Sequence, residues 1–291
     1  MNKIKKQLDI IYNENTFKDI TIIHISDIHF NLNTRKNKLD KIKEEIYKNN
    51  PDYVMITGDI IDNPNIINNK LKIKELLVFL TDIGSFTKLL ISLGNHDIFS
   101  DKDYKFFDKL NDLKNIYVLN NTNYKDEFIY VSGMTLPNKY YYNITKKEST
   151  ELLLHHLDEH QKLIARIPEN LPKVSLIHSP INLAKEEVLK KLKEYDLLLS
   201  GHTHNGMVPD FLNKFFKGNT GIIAPNKNLF PAIAKGKIEK YVGNKKITII
   251  INGAVTKLSE HSAKMLSKLN FVYNISINKI IITKKRGRYY D

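Results

Sequence analysis

Short apolar runs along this chain stop abruptly at small and polar residues. Ile20–Ile25 runs into Ser26-Asp27-Ile28-His29, and Tyr53–Thr57 into Gly58-Asp59. Leu89–Leu93 meets Gly94-Asn95-His96-Asp97, Val174–Ile177 meets His178, and Leu197–Leu199 meets Ser200-Gly201-His202-Thr203-His204. Continuous apolar runs of this length predict strands buried on both faces, as in parallel sheets. Helix-period segments lie between them. Leu39, Ile42 and Ile46 share one face, as do Ile73, Leu76, Leu77 and Leu80. Glu151–Ile167 predicts a third helix, stopped by Pro168, and Ala184–Leu192 a fourth. The alternation predicts βαβ units and an α/β fold. Toward the C-terminus, Lys246–Ile251, Phe271–Ile277 and Lys279–Thr283 read as strands joined by loops, an antiparallel addition to the sheets. The segment Gly206–Gly236 is loop-rich, with Phe211, Phe215, Phe216 and Phe230. It is read either as a wall of the site that precedes it or as a surface excursion with its own apolar cluster.

A length of 291 residues suits one large domain. The reading is an N-terminal extension at 1–18, a single domain at 19–284 and a basic tail at 285–291. Met1-Asn2-Lys3-Ile4-Lys5-Lys6 looks like the charged start of a signal peptide, but Leu8–Glu14 is too short and polar to continue one. Ile4, Leu8 and Ile11 are spaced as the apolar edge of a short basic helix, a hint of membrane-surface contact. No stretch approaches the roughly 18 apolar residues of a spanning helix. The expectation is a soluble cytoplasmic protein, with the inner membrane surface as the one place of peripheral contact.

Net charge changes the picture less than it first promises. An excess of 45 Lys plus Arg over 32 Asp plus Glu gives +13. That suits nucleic acid, an anionic membrane or an acidic substrate. The basic residues are spread along the chain, so compositional drift competes with all three. The absence of cysteine is more decisive. It excludes disulfides, thiolate metal sites and a thiol nucleophile.

The five polar stops all follow the C-terminal end of a predicted strand, the edge where open α/β sheets bind ligands. They deliver Asp27, His29, Asp59, Asn95, His96, His178, His202 and His204, including five of the ten histidines. A lone histidine after a strand is usually structural; five strand ends carrying potential ligands together point to metal. Carboxylates, imidazoles and an amide suit Mn, Fe, Co, Ni or Zn better than calcium. They are too many for one tetrahedral ion and suit two ions about 3.5–4 Å apart that share a carboxylate. Such a pair polarises phosphoryl oxygens and lowers the pKa of a bridging water toward about 7.

Asp27-x-His29, Gly58-Asp59, Gly94-Asn95-His96-Asp97, His178 and Gly201-His202-Thr203-His204 resemble, in order and spacing, the signature of the calcineurin-like metallophosphoesterases. The resemblance implies two packed, mixed β-sheets flanked by helices, a four-layer α/β/β/α sandwich. It implies that Asp27, His29, Asp59 and His204 hold a first divalent metal ion. Asp59 would bridge, and Asn95, His178 and His202 would complete a second site. His96 is similar to the family's non-ligand histidine, which assists the leaving oxygen. Asp62, three residues after Asp59, is in the place of a carboxylate that orients that histidine in some branches. Asp97 is the alternative for that role, or else a loop carboxylate that binds backbone N–H groups.

The Ser/Thr protein phosphatase branch places Arg soon after the bridging region, where this chain has Asn63-Pro64. The pattern Gly201–Gly206 resembles a bacterial branch linked to the cell envelope, whose N-terminal membrane segment has no counterpart here. The reading is therefore a hydrolase of phosphate mono-, di- or pyrophosphate esters that acts by attack of a metal-bridging hydroxide. Its substrate would be a phosphorylated small molecule or lipid headgroup. Two alternatives are a nuclease, which needs a basic groove beside the metals, and a non-catalytic binding scaffold, which would show missing ligands. Four other signals are set aside. His156-Leu157-Asp158-Glu159-His160 fits H-x-x-E-H but reads as a solvated helix face. His24 reads as a buried strand residue, and His261 receives no role. Lys284-Lys285-Arg286-Gly287-Arg288 reads as a frayed basic terminus, with no nucleic-acid motif beside it.

Overall fold

The structure, a computed structural model, describes residues 3–142, 145–164, 166–212, 215–216, 218–223, 231, 233–258, 268, 270 and 273–285. Twelve strands are seen among them. They are β1 (Ile4–Tyr12), β2 (Ile20–Ile25), β3 (Tyr53–Thr57), β4 (Lys88–Ser92), β5 (Ile116–Val118), β6 (Thr122–Lys125), β7 (Tyr130–Met134), β8 (Lys173–Ile177), β9 (Leu197–Ser200), β10 (Gly236–Val242), β11 (Lys245–Ile251) and β12 (Ile275–Thr283). The α-helices are α1 (Lys36–Asn49), α2 (Lys70–Phe86), α3 (Asn95–Ser100), α4 (Lys105–Leu110), α5 (Lys146–Leu163) and α6 (Glu186–Lys191). The strands form two six-stranded sheets, ordered β1-β12-β2-β3-β4-β5 and β10-β11-β9-β8-β7-β6. Both are mixed. Strands β2 to β5 run parallel, as do β7, β8, β9 and β11.

Side-chain alternation sorts the apolar runs into layers. Ile22, Tyr53, Met55 and Leu90 face Val131, Val174, Leu176, Leu197 and Leu199 across the space between the sheets. Their neighbours Ile23, Val54, Ile56, Leu89 and Ile91 pack outward on Leu39, Ile42 and Ile46 of α1 and Leu76, Phe79, Leu80 and Ile83 of α2. On the other side, Tyr130, Ile177, Leu198 and Ile249 pack on Leu153 and Leu157 of α5 and Val188 and Leu189 of α6. Each fully buried aliphatic side chain contributes about 1.5–3 kcal/mol. Continuous runs were needed because both faces of each central strand are covered. The expected four-layer α/β/β/α arrangement is the one seen.

Three expectations are corrected. Ile4, Leu8 and Ile11 do not line a helix; their segment is β1, paired in parallel with β12 from Ile4↔Ile275 to Tyr12↔Thr283. The period is two: Asp9 and Ile11 are buried, while Leu8, Ile10 and Tyr12 are exposed. The stretch set apart as an extension thus supplies a sheet edge. The two last predicted strands are one, because Asn278 does not interrupt β12. It points inward and accepts a hydrogen bond from Asn252 Nδ2 at 2.6 Å. Phe271 and Val272 lie outside the described residues, as do His261 and the tail from residue 286. Helix α5 starts five residues before the predicted Glu151 because Thr145 and Glu148 form a capping box. No helix among the described residues is long and apolar enough to cross a membrane.

One carboxylate clips the sheets together at the end of the strands opposite the polar stops. Asp126, in the β6–β7 turn, accepts from Tyr53 Oη at 2.6 Å, Lys88 Nζ at 2.7 Å and Tyr124 Oη at 2.9 Å. Its other oxygen accepts from the Phe128 and Ile129 amides. Burial pushes its pKa up, but Lys88 and the hydroxyls more than offset this and hold it at about 2. A depressed carboxylate stabilises the fold above its unfolded value, near 3.8, and the contribution is lost as pH falls through about 2. Asp126→Asn should therefore cost roughly 2 kcal/mol at neutral pH. Urea unfolding should show that gap closing between about pH 4 and pH 2. A gap that stays constant over the whole range would assign the loss to something other than this charge.

Candidate metal centre

The five polar stops meet where the C-terminal edges of the two sheets come together. Asp27 and His29 follow β2, Asp59 follows β3, and Asn95 and His96 open α3 directly after β4. His178 follows β8, and His202 and His204 follow β9. Backbone pairing continues past the strands: Asp27 N donates to Gly58 O at 3.0 Å, His29 N to Asp59 O at 2.9 Å and Gly201 N to His178 O at 2.8 Å. Asp27, His29, Asp59, His202 and His204 all have φ between 46° and 65°. Left-handed backbone at side-chain-bearing residues is uncommon, and Asp, Asn and His tolerate it best. Here it turns each side chain back across the sheet edge.

Two glycines explain how the carboxylates fit. A Cβ on Gly94 would stand 2.2 Å from Asp59 Oδ1, and one on Gly201 would stand 2.4 Å from Asp27 Oδ2 and 1.8 Å from Ser26 Oγ. Both glycines are therefore flat faces against which a carboxylate lies.

The side chains make three overlapping groups. Asp27, His29, Asp59 and His204 present one donor atom each, all within 4.8 Å of one another, and so do Asp59, His178 and His202. The third group is His29, Asp62 and His96. Asp59 is common to the first two. Its Oδ2 lies 3.2 Å from His178 Nε2 and 3.7 Å from His29 Nε2. His204 Nε2 is 3.1 Å from Asp27 Oδ1 and 3.3 Å from His29 Nε2. Asn95 Oδ1 is buried with no hydrogen-bond partner.

The far sides of the rings are tied down. Carbonyls only accept, so Nδ1 carries the hydrogen where His178 meets Thr57 O at 2.6 Å, where His96 meets Asp62 O at 2.7 Å and where His204 meets Lys257 O. For His178 and His204 the bond leaves Nε2 as the nitrogen able to ligate, the usual arrangement behind metal-binding imidazoles. Asp62 stands beside two rings, those of His29 and His96. Its carboxylate is 3.2 Å from His29 Nδ1 but 3.9 Å from His96 Nδ1. Its carbonyl accepts the His96 Nδ1 hydrogen, while its carboxylate stands closer to His29. Asp97 is the loop carboxylate: it accepts from the Ile60, Ile61 and Gly94 amides. Burial and the negative charge of Asp59 push its pKa up to about 7.

Charge is concentrated here with almost no water. Asp27 and Asp59 are at most 1% exposed. Burial pushes both upward, but the surrounding imidazoles hold both well below the usual carboxylate range. Burial lowers His178 and His204, yet their carboxylate neighbours win and raise both, His178 to about 9. Burial lowers His202 to about 3, with His178 adding to the effect. Uncompensated buried carboxylates cost several kcal/mol each. A donor set of oxygens and imidazole nitrogens, with an unpartnered amide oxygen beside it, fits divalent cations.

Other signals resolve differently. His24 is buried in β2, with Nε2 2.8 Å from Thr57 Oγ1. On α5, Glu159 pairs with Lys162 at 2.8 Å, and His160 is buried. In the Gly206–Gly236 segment, Gly206 O accepts from the Ile222 amide, while Phe211 and Phe215 are exposed; Phe230 lies outside the described residues. Two contributors had no sequence signal: the Lys257 carbonyl, which any residue could supply, and Tyr141, whose ring lies 5.1 Å from that of His202.

The sequence pattern that defines the calcineurin-like phosphoesterases matches residues 20–206. The chain belongs to this family. Among calcineurin-like phosphoesterases, it is 30% identical over 202 residues to an uncharacterized metallophosphoesterase of Campylobacter jejuni, covering 68% of this chain and 47% of that protein. It is 24% identical over 245 residues to a UDP-2,3-diacylglucosamine pyrophosphatase of Chlamydia muridarum, covering 71% of each. A solved dimetal phosphatase from Danio rerio superposes with a TM-score of 0.43 at 11% identity, covering 83% of this chain and 90% of that one. The chain spans about half the length of the first curated relatives it matches.

The glycine contacts give a prediction for this calcineurin-like phosphoesterase. Gly94 has φ −102°, so alanine suits its backbone, and the atoms nearest an added Cβ are the Asp59 carboxylate and amide. Gly94→Ala should retain the native circular dichroism spectrum but bind less metal than wild type, measured by elemental analysis after loading with Mn²⁺. Unchanged metal content would show that Asp59 can move without consequence.

Proposed function

We propose that this chain is a metal-dependent hydrolase of phosphate esters, acting on a monoester, diester or pyrophosphate bond. The observation that carries the reading is the convergence of the Asp27, His29, Asp59, His178, His202 and His204 donor atoms where the C-terminal edges of the two sheets meet. In this reading Asp27, His29, Asp59 and His204 hold one divalent cation. Asp59, Asn95, His178 and His202 hold the second, with Asp59 shared. When bound, such a pair polarises the phosphoryl oxygens and makes water a stronger nucleophile near neutral pH. The chain's own residues then have separate tasks. Gly94 and Gly201 keep the carboxylates in place, and the Nδ1 bonds keep the imidazoles aimed inward. Near-complete burial excludes bulk water, which strengthens each of these electrostatic interactions.

His96 is the proposed proton donor. It is 7% exposed, and its Nδ1 hydrogen is committed to the Asp62 carbonyl. The Asp62 carboxylate lies 3.9 Å from that nitrogen. Nε2 is then the atom that gives a proton to the departing oxygen. The substrate is proposed only as a phosphorylated small molecule or lipid headgroup. The likeness to a diacylglucosamine pyrophosphatase supports including lipid pyrophosphates among the candidates.

The direct test is hydrolysis of a p-nitrophenyl monoester, a bis-p-nitrophenyl diester, nucleotides, single-stranded DNA and a lipid pyrophosphate. Activity on at least one should vanish on chelation and return with Mn²⁺. Full activity in chelated protein would end the proposal, and activity confined to DNA would favour the nuclease.

His96→Ala should keep its metal yet lose about 10²–10⁴-fold in turnover, the usual contribution of a positioned acid. The loss should be smaller for a p-nitrophenyl ester, whose leaving group departs without a proton, than for an alkyl ester of the same phosphate. Equal losses on both would show that His96 steadies phosphoryl charge instead of donating a proton.

A further inference from the structure

Three consecutive tyrosines lie against one side of the metal centre. They follow β7, in and just after the 3₁₀ turn Asn138–Tyr141. Tyr140 Oη donates to the carbonyl of Ile181, in the loop that leaves His178. The Tyr141 ring stands edge-on to His202 at 5.1 Å between centroids and lies 6.0 Å from His178. Tyr142 Oη lies 3.3 Å from Asn95 Nδ2. These contacts run to Asn95, His178 and His202, the residues grouped around the same side of Asp59.

The Asn95 contact has a specific chemical meaning. A primary amide has one accepting end and one donating end. Only the oxygen can ligate a cation, so the NH₂ group must then point away and find an acceptor. Asn95 Oδ1 is buried without a partner, and its Nδ2 already faces the Tyr142 oxygen. A rotated amide would present its N–H hydrogens, which cannot ligate, to the cation.

We propose that Tyr142 is a positioning residue. It holds the Asn95 amide with Oδ1 toward the cation of the Asp59, His178 and His202 group, and the site built from Asp27, His29 and His204 does not depend on it. The inference rests on the reading of Asn95 as a ligand. Outer partners of this kind typically change metal affinity about 10–100-fold. Tyr142 is 53% exposed, so removing its hydroxyl leaves the core intact.

The test uses Mn²⁺-loaded protein dialysed against buffers of graded free Mn²⁺, with metal per chain measured by elemental analysis. Tyr142→Phe should release one equivalent at about 10–100-fold higher free Mn²⁺ than wild type and hold the other unchanged. Excess Mn²⁺ should restore its turnover. Tyr141→Phe should hold both equivalents as wild type does, because its ring makes the contact. Asn95→Ala should lose the same single equivalent more completely. If Asn95→Ala loses metal and Tyr142→Phe does not, the inference fails alone. Weakening of both equivalents together in Tyr142→Phe would mean general loosening and also overturn it. If Asn95→Ala keeps both, the ligand reading fails and takes the inference with it.

Discussion

Two carboxylates, Asp27 and Asp59, are held charged where almost no water reaches. The rest of the site follows from what that requires. Burying a carboxylate costs several kcal/mol unless cations and hydrogen bonds surround it. Two sheets meeting at their C-terminal edges can deliver five histidines to one place. A single sheet edge would leave half of that space open to solvent. The two motif glycines exist because the carboxylates lie against backbone. The Nδ1 atoms of His178, His96 and His204 are held by carbonyls of Thr57, Asp62 and Lys257, so the scaffold itself sets which ring nitrogen faces the centre.

That dependence explains what could be read in the sequence. The central strands were legible because each is covered on both faces and so has an unbroken apolar run that stops at a polar residue. The candidate donors were legible because those stops hold an Asp-x-His, an Asn-His and a His-x-His grouping, each directly after an apolar run. Strand β1 was not, since its outer face stays exposed and its alternation mimics a short helix edge. The single course of β12 was hidden by Asn278, whose polarity is spent on Asn252 inside the protein. The capping box at Thr145 and Glu148 was present in the sequence and went unread. Asp62 could be singled out by its spacing from Asp59, but which histidine its carboxylate faces depends on a loop that no spacing reveals. The tyrosines at 140–142 come from a connection between β7 and α5 and reach the site only through tertiary packing.

The two sheets are tied at both ends. Asp126 joins the β6–β7 turn to the first residues of β3 and β4. At the opposite ends, donors from β2, β3 and β4 face donors from β8 and β9. A cation held there would join the first half of the chain to the second. Metal affinity and resistance to unfolding are then two views of one linkage, and loaded protein gains stability in proportion to the logarithm of free metal.

The left-handed backbone at Asp27, His29, Asp59, His202 and His204 has a consequence for how this site is probed. At these positions the residue is constrained twice, once by what it must donate and once by the conformation it must hold. Asn, Asp and His tolerate that conformation; alanine pays about 1–2 kcal/mol in it. Alanine scanning here therefore mixes two effects and overstates the worth of the side-chain donor. Asparagine keeps the backbone's preference and changes only the ligand, so at Asp27 and Asp59 it is the substitution that separates coordination from conformation.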